Sequence, residues 1–257
     1  MQKFSNFLLA SCCALSLLAS CTGKNGDPGP AGATGPTGPS GQNLTGTLFG
    51  FVAPVDEYGV AQAKSGVTVT LDGVTPAVTA TTNADGRYEF AGLRNGTYNL
   101  TFSRSGLATT RRLGVAHVGG DQPTFLGTSS ISAQSTTTLG NISVNPQNNG
   151  AAFTVPFTNP GAQGSFVRLI FYASSSPGTT AANGTPLTIY STSTSPLSAL
   201  LSKATFYSAG FASGTAVYVV VYGAPAVLTG YSDPLTGRFQ YTGLTAVSSN
   251  QVSFIVP

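Results

Sequence analysis

Tryptophan is absent from this sequence, histidine and methionine occur once each, and charged residues make up only 7% of its 257 positions. Each shortage excludes something. A net charge of +3, part of it Lys3 in an apolar leader, is too small and scattered to neutralise phosphates, so no nucleic-acid partner is expected. Catalysis needs a base, a nucleophile and a group to orient them. The one histidine, His117, sits in strand-like Val115-Ala116-His117-Val118, and beyond Asn148 the only acid is Asp233, in a Pro-containing turn. There is no Gly-rich phosphate loop ahead of a helix, no Gly-x-Ser-x-Gly and no His/Cys metal spacing. A non-enzymatic protein without metal or cofactor is therefore expected.

Cysteine is nearly as scarce. Cys12 and Cys13 fall inside the apolar leader, so a mature chain keeps Cys21 alone and has neither an internal disulfide nor a Cys-rich metal site. Its domains must stand on packing.

What is present begins with that leader. Lys3 and the apolar run Phe4 to Leu18, diluted by Ser5, Asn6, Ser11 and Ser16, are too short and polar for a stable membrane span and read as a signal peptide over residues 1–20. Leu18-Ala19-Ser20-Cys21 resembles the lipobox of bacterial lipoproteins, whose cysteine thiol receives lipid before cleavage. Leu9-Ala10-Ser11-Cys12 has the same letters but too little apolar sequence ahead of it. The resemblance implies Cys21 as the lipid-attachment residue, holding the protein in a membrane through several acyl chains. Thr22-Gly23-Lys24 lacks the Asp that retains enteric lipoproteins at the inner membrane, which implies the outer membrane.

Glycine then recurs at every third position, at 26, 29, 32, 35, 38 and 41, with prolines between, a collagen-like pattern within residues 21–42. Two readings compete: a triple helix of three chains, or one chain in extended polyproline II form. About five good triplets with Pro mostly in the X position give few interchain contacts to offset ordering entropy. A single-chain spacer reaching roughly 50 Å and a monomeric protein are expected, with a trimer as the alternative.

From residue 43 the pattern is all-β: short apolar or alternating runs separated by turn clusters, in a chain rich in Gly (32) and Pro (16). Strands are expected at Leu44–Val52, Val67–Leu71, Ala77–Thr81, Arg87–Phe90, Tyr98–Phe102 and Thr109–Val115, with Val67, Val69 and Leu71 on one face. Asn83-Ala84-Asp85-Gly86 and Asn95-Gly96 supply tight reversals. The first is not a Ca²⁺ loop, because the position six after Gly86 is Gly92 where a Glu would be needed. Asp121, after Gly119-Gly120, reads as a turn residue.

The succession Gly66-Val67-Thr68-Val69-Thr70-Leu71, Thr81-Thr82-Asn83-Ala84-Asp85-Gly86-Arg87-Tyr88-Glu89-Phe90 and Gly92-Leu93-Arg94-Asn95-Gly96-Thr97-Tyr98-Asn99-Leu100 resembles the carboxypeptidase regulatory-like domain. That resemblance covers about residues 43–120 and implies a transthyretin-like, Greek-key β-sandwich that is a non-catalytic accessory module. Ser103-Arg104-Ser105-Gly106-Leu107 departs from the family's Lys-x-Gly-aromatic in an outer turn.

Thr128 to Val144 reads as a Ser/Thr-rich connector with a strand at Thr137–Val144. Asn145 to Gly150 is the expected boundary between a domain over 43–147 and a second over 148–257. Charge then nearly vanishes, and strands are expected at Ala152–Phe157, Phe166–Tyr172, Ala204–Tyr207, Ala216–Tyr222, Phe239–Thr242 and Gln251–Val256. Gly214-Thr215-Ala216-Val217-Tyr218-Val219-Val220-Val221-Tyr222 resembles a fibronectin type III strand, which implies an immunoglobulin- or fibronectin-like sandwich.

Two functions fit. One is a lipid-anchored outer-membrane protein presenting β-sandwiches for structural, adhesive or protein–protein contact. The other is a glycan-binding surface lipoprotein, suggested by Tyr (10) and Phe (15), with Tyr190, Tyr207 and Tyr231 as candidates for a shared exposed face. In both, the membrane is a partner through the lipid.

Overall fold

A computed structural model describes residues 43–159, 161 and 165–257; Cys21 and the Gly-x-y repeat lie outside the described residues. Strands hold 53% of the chain and helix 3%, so the all-β expectation holds. Residues Asn43–Pro257 form one compact unit.

The first half contains β1 (Thr45–Val55), β2 (Thr68–Asp72), β3 (Val78–Thr81), β4 (Arg87–Arg94), β5 (Gly96–Ser103), β6 (Thr110–His117) and β7 (Thr124–Ser132). They form two sheets, in the orders β4-β1-β7 and β3-β2-β5-β6, with β1 and β7 parallel. Period-2 alternation dictates the packing. Val67, Val69 and Leu71, with Leu100 and Phe102 beside them on β5, face Leu48, Val52, Tyr88 and Phe90 in a shared core. Gly50 makes this fit possible: a Cβ there would lie 2.6 Å from the Tyr88 hydroxyl oxygen.

The second half contains β8 (Thr138–Leu139), β9 (Ser143–Gln147), β10 (Gly150–Val155), β11 (Phe157–Thr158), β12 (Val167–Ser174), β13 (Thr185–Thr192) and β14 (Leu197–Ser202). A single turn of helix, α1 (Lys203–Ser208), precedes β15 (Ala216–Ala224), β16 (Thr229–Ser232), β17 (Phe239–Thr242) and β18 (Val252–Ile255). Sheets β14-β10-β9 and β13-β12-β15-β18 enclose a core containing Phe153, Leu169, Phe171, Val217, Val219 and Phe254. A third layer covers the other face of the larger sheet. There Leu228, Tyr241 and Leu244, in and around the β16–β17 hairpin, pack on Ile170, Tyr172, Val220 and Ala224. This is why Leu169 to Ala173 of β12 read as an unbroken apolar run: both faces of the strand are buried there.

Four expectations are corrected. The Ser/Thr-rich connector begins with a strand of the first sandwich, since Leu48 to Val55 pair with Thr124 to Ser132. Asn145 to Gly150 is no linker but the β9–β10 hairpin, with Gln147 opposite Gly150, so the change of strand set falls earlier, near Ala133 to Thr137. Ala204–Tyr207 is helical, because the Ser202 hydroxyl accepts from the Thr205 amide as an N-cap. Asn83–Gly86 and Asn95-Gly96 join strands of different sheets, so they are corners rather than hairpins. Asn83 still builds the first corner as a turn: its Oδ1 accepts from the amides of Asp85 and Arg87.

The two sandwiches are tied by main-chain contacts. Ala133 N–H donates to the Val55 carbonyl at 2.9 Å and Ser135 N–H to the Gly243 carbonyl at 2.8 Å. Glu57 clamps the crossing, accepting from the Thr136 amide through its carboxylate and from the Ala226 amide through its backbone carbonyl, both at 2.7 Å.

Candidate functional site

Two surfaces stand out, and β7 contributes to both. The first is the outer face of sheet β4-β1-β7. Alternation puts Leu48, Gly50 and Val52 inward, which leaves Phe49 and Phe51 outward, and the parallel register sets Phe125 beside Phe49. The Phe49 and Phe125 rings stack with centroids 5.0 Å apart, and Phe51 meets both edge-on, at 6.4 and 6.2 Å. From β4, the Arg87 guanidinium carbon lies 4.7 Å from the Phe49 centroid and pairs with Glu89. Phe125 is 59% exposed. Ring faces of Phe49 are thus engaged by Phe125 and Arg87. What the cluster offers outward is ring edges and the free side of Phe125, beside a fixed ion pair.

The second surface is a cleft of about 320 Å³ between the open β6/β7 edge of the first sandwich and the β16–β17 hairpin. Arg112 on β6 is half-buried there, and its Nη1 donates to the Leu126 carbonyl across the edge. Neighbouring Arg111 pairs with Asp72 at 3.5 Å, and its guanidinium carbon lies 5.9 Å from the Tyr231 centroid. Ser129 and Ser130 of β7, Thr229 of β16 and Phe239 of β17 complete the walls.

The residues singled out from sequence fall elsewhere. His117 is buried; its Nε2 lies 3.1 Å from the Leu93 carbonyl, which can only accept, so Nδ1 accepts from the Thr124 hydroxyl at 2.8 Å. It is a strut from β6 to β4 and β7. Tyr190 packs edge-on to Phe171 and donates to the Leu200 carbonyl, and burial raises its pKa. Tyr207 lies on α1 beside Lys203, whose hydrogen bond lowers its pKa, and Tyr231 lies on β16 beside Arg111. The three tyrosines therefore occupy three different elements. Among the described residues no group of three His, Cys, Asp or Glu side chains could hold a metal, and no helix is long and apolar enough to cross a membrane. Phe49 and Phe51 were legible as the alternate positions of β1, but Phe125 joins them only through a parallel pairing far away in sequence.

The stretch that contains the corner at Asn83–Gly86 has a counterpart among known families. Residues 47–144 match the carboxypeptidase regulatory-like domain. The match begins inside β1, runs through the rest of the first sandwich and ends inside β9. No curated protein sequence matches the chain. Among solved structures, a type II cohesin–X–dockerin complex from Acetivibrio cellulolyticus is 23% identical over 35% of this chain and 58% of its own, with a TM-score of 0.28. A Bacteroides uniformis protein provisionally named as carbohydrate-binding is 12% identical, covering 82% of this chain and 99% of its own at a TM-score of 0.32. A DUF3823 family protein from Parabacteroides merdae is 16% identical, with coverages of 82% and 99% and a TM-score of 0.28.

Proposed function

We propose that this chain is a non-enzymatic contact protein of the bacterial cell envelope, tethered by lipid on Cys21, spaced outward by the Gly-x-y repeat, and binding other proteins through the Phe49, Phe51 and Phe125 face. The observation that carries the reading is that face: three rings clustered on an outward sheet surface, with Phe125 59% exposed and Phe49 and Phe51 half-buried beside it. A contiguous aromatic patch beside an Arg–Glu pair is the composition of an interface core with a polar rim. Surface adhesion is the output that such a face on a tether gives.

The test has two arms. Cells making the wild-type chain should incorporate labelled palmitate into it, and Cys21→Ser should abolish the label. Attachment of those cells to one another and to a protein-coated surface should fall with Phe49→Ser/Phe125→Ser while the amount of chain displayed stays constant. Absence of label removes the tether, and undiminished attachment removes the aromatic face.

Glycan capture is the second reading, favoured by the hydroxyl-lined Arg112 cleft rather than by the rings. Sugar stacking needs open ring faces, and those of Phe49 are already occupied.

A further inference from the structure

We infer that the cleft between β6, β7 and the β16–β17 hairpin binds a carboxylate-bearing sugar, a uronic acid unit of a glycan; this rests on the glycan-capture reading and gives it a ligand class. Charge is the first argument. Among the described residues the ion pairs are Arg87–Glu89 and Arg111–Asp72, so the half-buried Arg112 has no carboxylate partner. A guanidinium drawn partly out of water without a counter-charge is costly, and a bound carboxylate relieves that cost through paired N–H···O bonds. With Nη1 given to the Leu126 carbonyl, the Nε and Nη2 donors are left for a ligand.

The remaining lining selects among carboxylates. Ser129 engages no partner through its hydroxyl among the described residues, and it can both donate and accept, as sugar hydroxyls require. Leu228 and Phe239 give an apolar wall for the C–H face of a pyranose. The volume of about 320 Å³ sits at the small end of the ~300–1,000 Å³ typical of ligand sites, which fits one sugar unit with its neighbours outside. One uncompensated charge matches a single carboxylate better than a doubly charged phosphate monoester.

Isothermal titration of the full chain with glucuronate, galacturonate, glucose and inorganic sulfate tests this. Both uronates should bind, with glucose at least about tenfold weaker, the ratio a charged hydrogen bond gives. Arg112→Gln should abolish the preference. Because Arg112 also ties β6 to β7, its variant is checked by thermal melting, and Ser129→Val provides an independent change in the same cleft that should weaken uronate binding. Failure of either uronate to bind, equal binding of glucose, sulfate binding as tightly as glucuronate, or indifference to both cleft variants overturns the assignment. A glycan array separates the two levels: neutral glycans bound regardless of Arg112→Gln sink the uronate claim and leave glycan capture standing, whereas no bound glycan at all removes both.

Discussion

The two sandwiches treat the outer face of their sheets in opposite ways. In the second, the outward residues Ile170, Tyr172 and Val220 are as apolar as the core, and the chain covers them with its own β16–β17 hairpin. In the first, Phe49, Phe51 and Phe125 are also outward and apolar, yet Phe125 stays 59% exposed and the other two only half-buried. The second half thus completes itself, while the first keeps a face that only another molecule can cover. Charge follows the same division: beyond Asn148 the ionisable acids and bases are Arg168, Lys203, Asp233 and Arg238, whereas the first sandwich carries the Arg and Glu that rim its open face. Both proposed contacts therefore lie on the first sandwich and its border with the hairpin.

The largest expected effect breaks the covered face. Ile170 points outward from β12 but is fully buried. Ile170→Ala should cost about 2–5 kcal/mol in urea unfolding, the range for truncating a core side chain. A loss under ~1 kcal/mol would mean that the hairpin does not seal this sheet in solution, and the contrast between the halves would collapse.

How much of this was legible in the sequence depends on the range of the interaction. Val67, Val69 and Leu71 announced their shared face by alternation alone, and all three are buried. β7 did not, because Gly127 and a run of Ser and Thr dilute its apolar signal; its strand form depends on the parallel ladder with β1. The four residues Ala204–Tyr207 are too few to show a period, and only the Ser202 cap reveals the helix. The Arg112 cleft draws on β6, β7, β16 and β17, residues more than a hundred positions apart, and no local pattern predicts such a meeting. The Cys21 proposal rests on a local sequence motif alone, Leu18-Ala19-Ser20-Cys21.

A middle-sized effect compares the first core with the hairpin-covered face of the second sandwich, since each buries a tyrosine whose hydroxyl has no hydrogen-bond partner among the described residues. Burial pushes Tyr88 up to about 12, with Arg112 pulling weakly the other way. Burial raises Tyr172 further, with Tyr241 and Tyr222 adding to it. For a group whose folded pKa is raised, the contribution to stability is complete below the unfolded value near ~10 and is lost as pH rises through the folded one. Two units correspond to about 2–3 kcal/mol for Tyr88. Alkaline unfolding followed by phenolate absorbance should therefore be steep, and both Tyr88→Phe and Tyr172→Phe should move its midpoint to higher pH, Tyr172→Phe by more. Unchanged midpoints in both variants would show that these hydroxyls do not govern it.

The smallest expected effect on stability is the one that decides the comparison. Phe125 stacks on Phe49, and an aromatic pair contributes about 0.5–1.5 kcal/mol beyond area burial. At 59% exposure, however, little of the ring is withdrawn from water in the free protein, so truncation opens no cavity. Phe125→Ala should shift the urea midpoint by no more than about 1 kcal/mol, well below the Ile170→Ala loss measured the same way. The two substitutions remove outward apolar side chains from equivalent layers, so their difference reports whether each face is covered by the chain itself. If Phe125→Ala cost as much as Ile170→Ala, the ring would already be buried in the isolated protein, for instance against a second copy, and the face would not be available to a partner. If stability holds while attachment of cells displaying the variant falls, the ring acts through a partner molecule rather than through the fold.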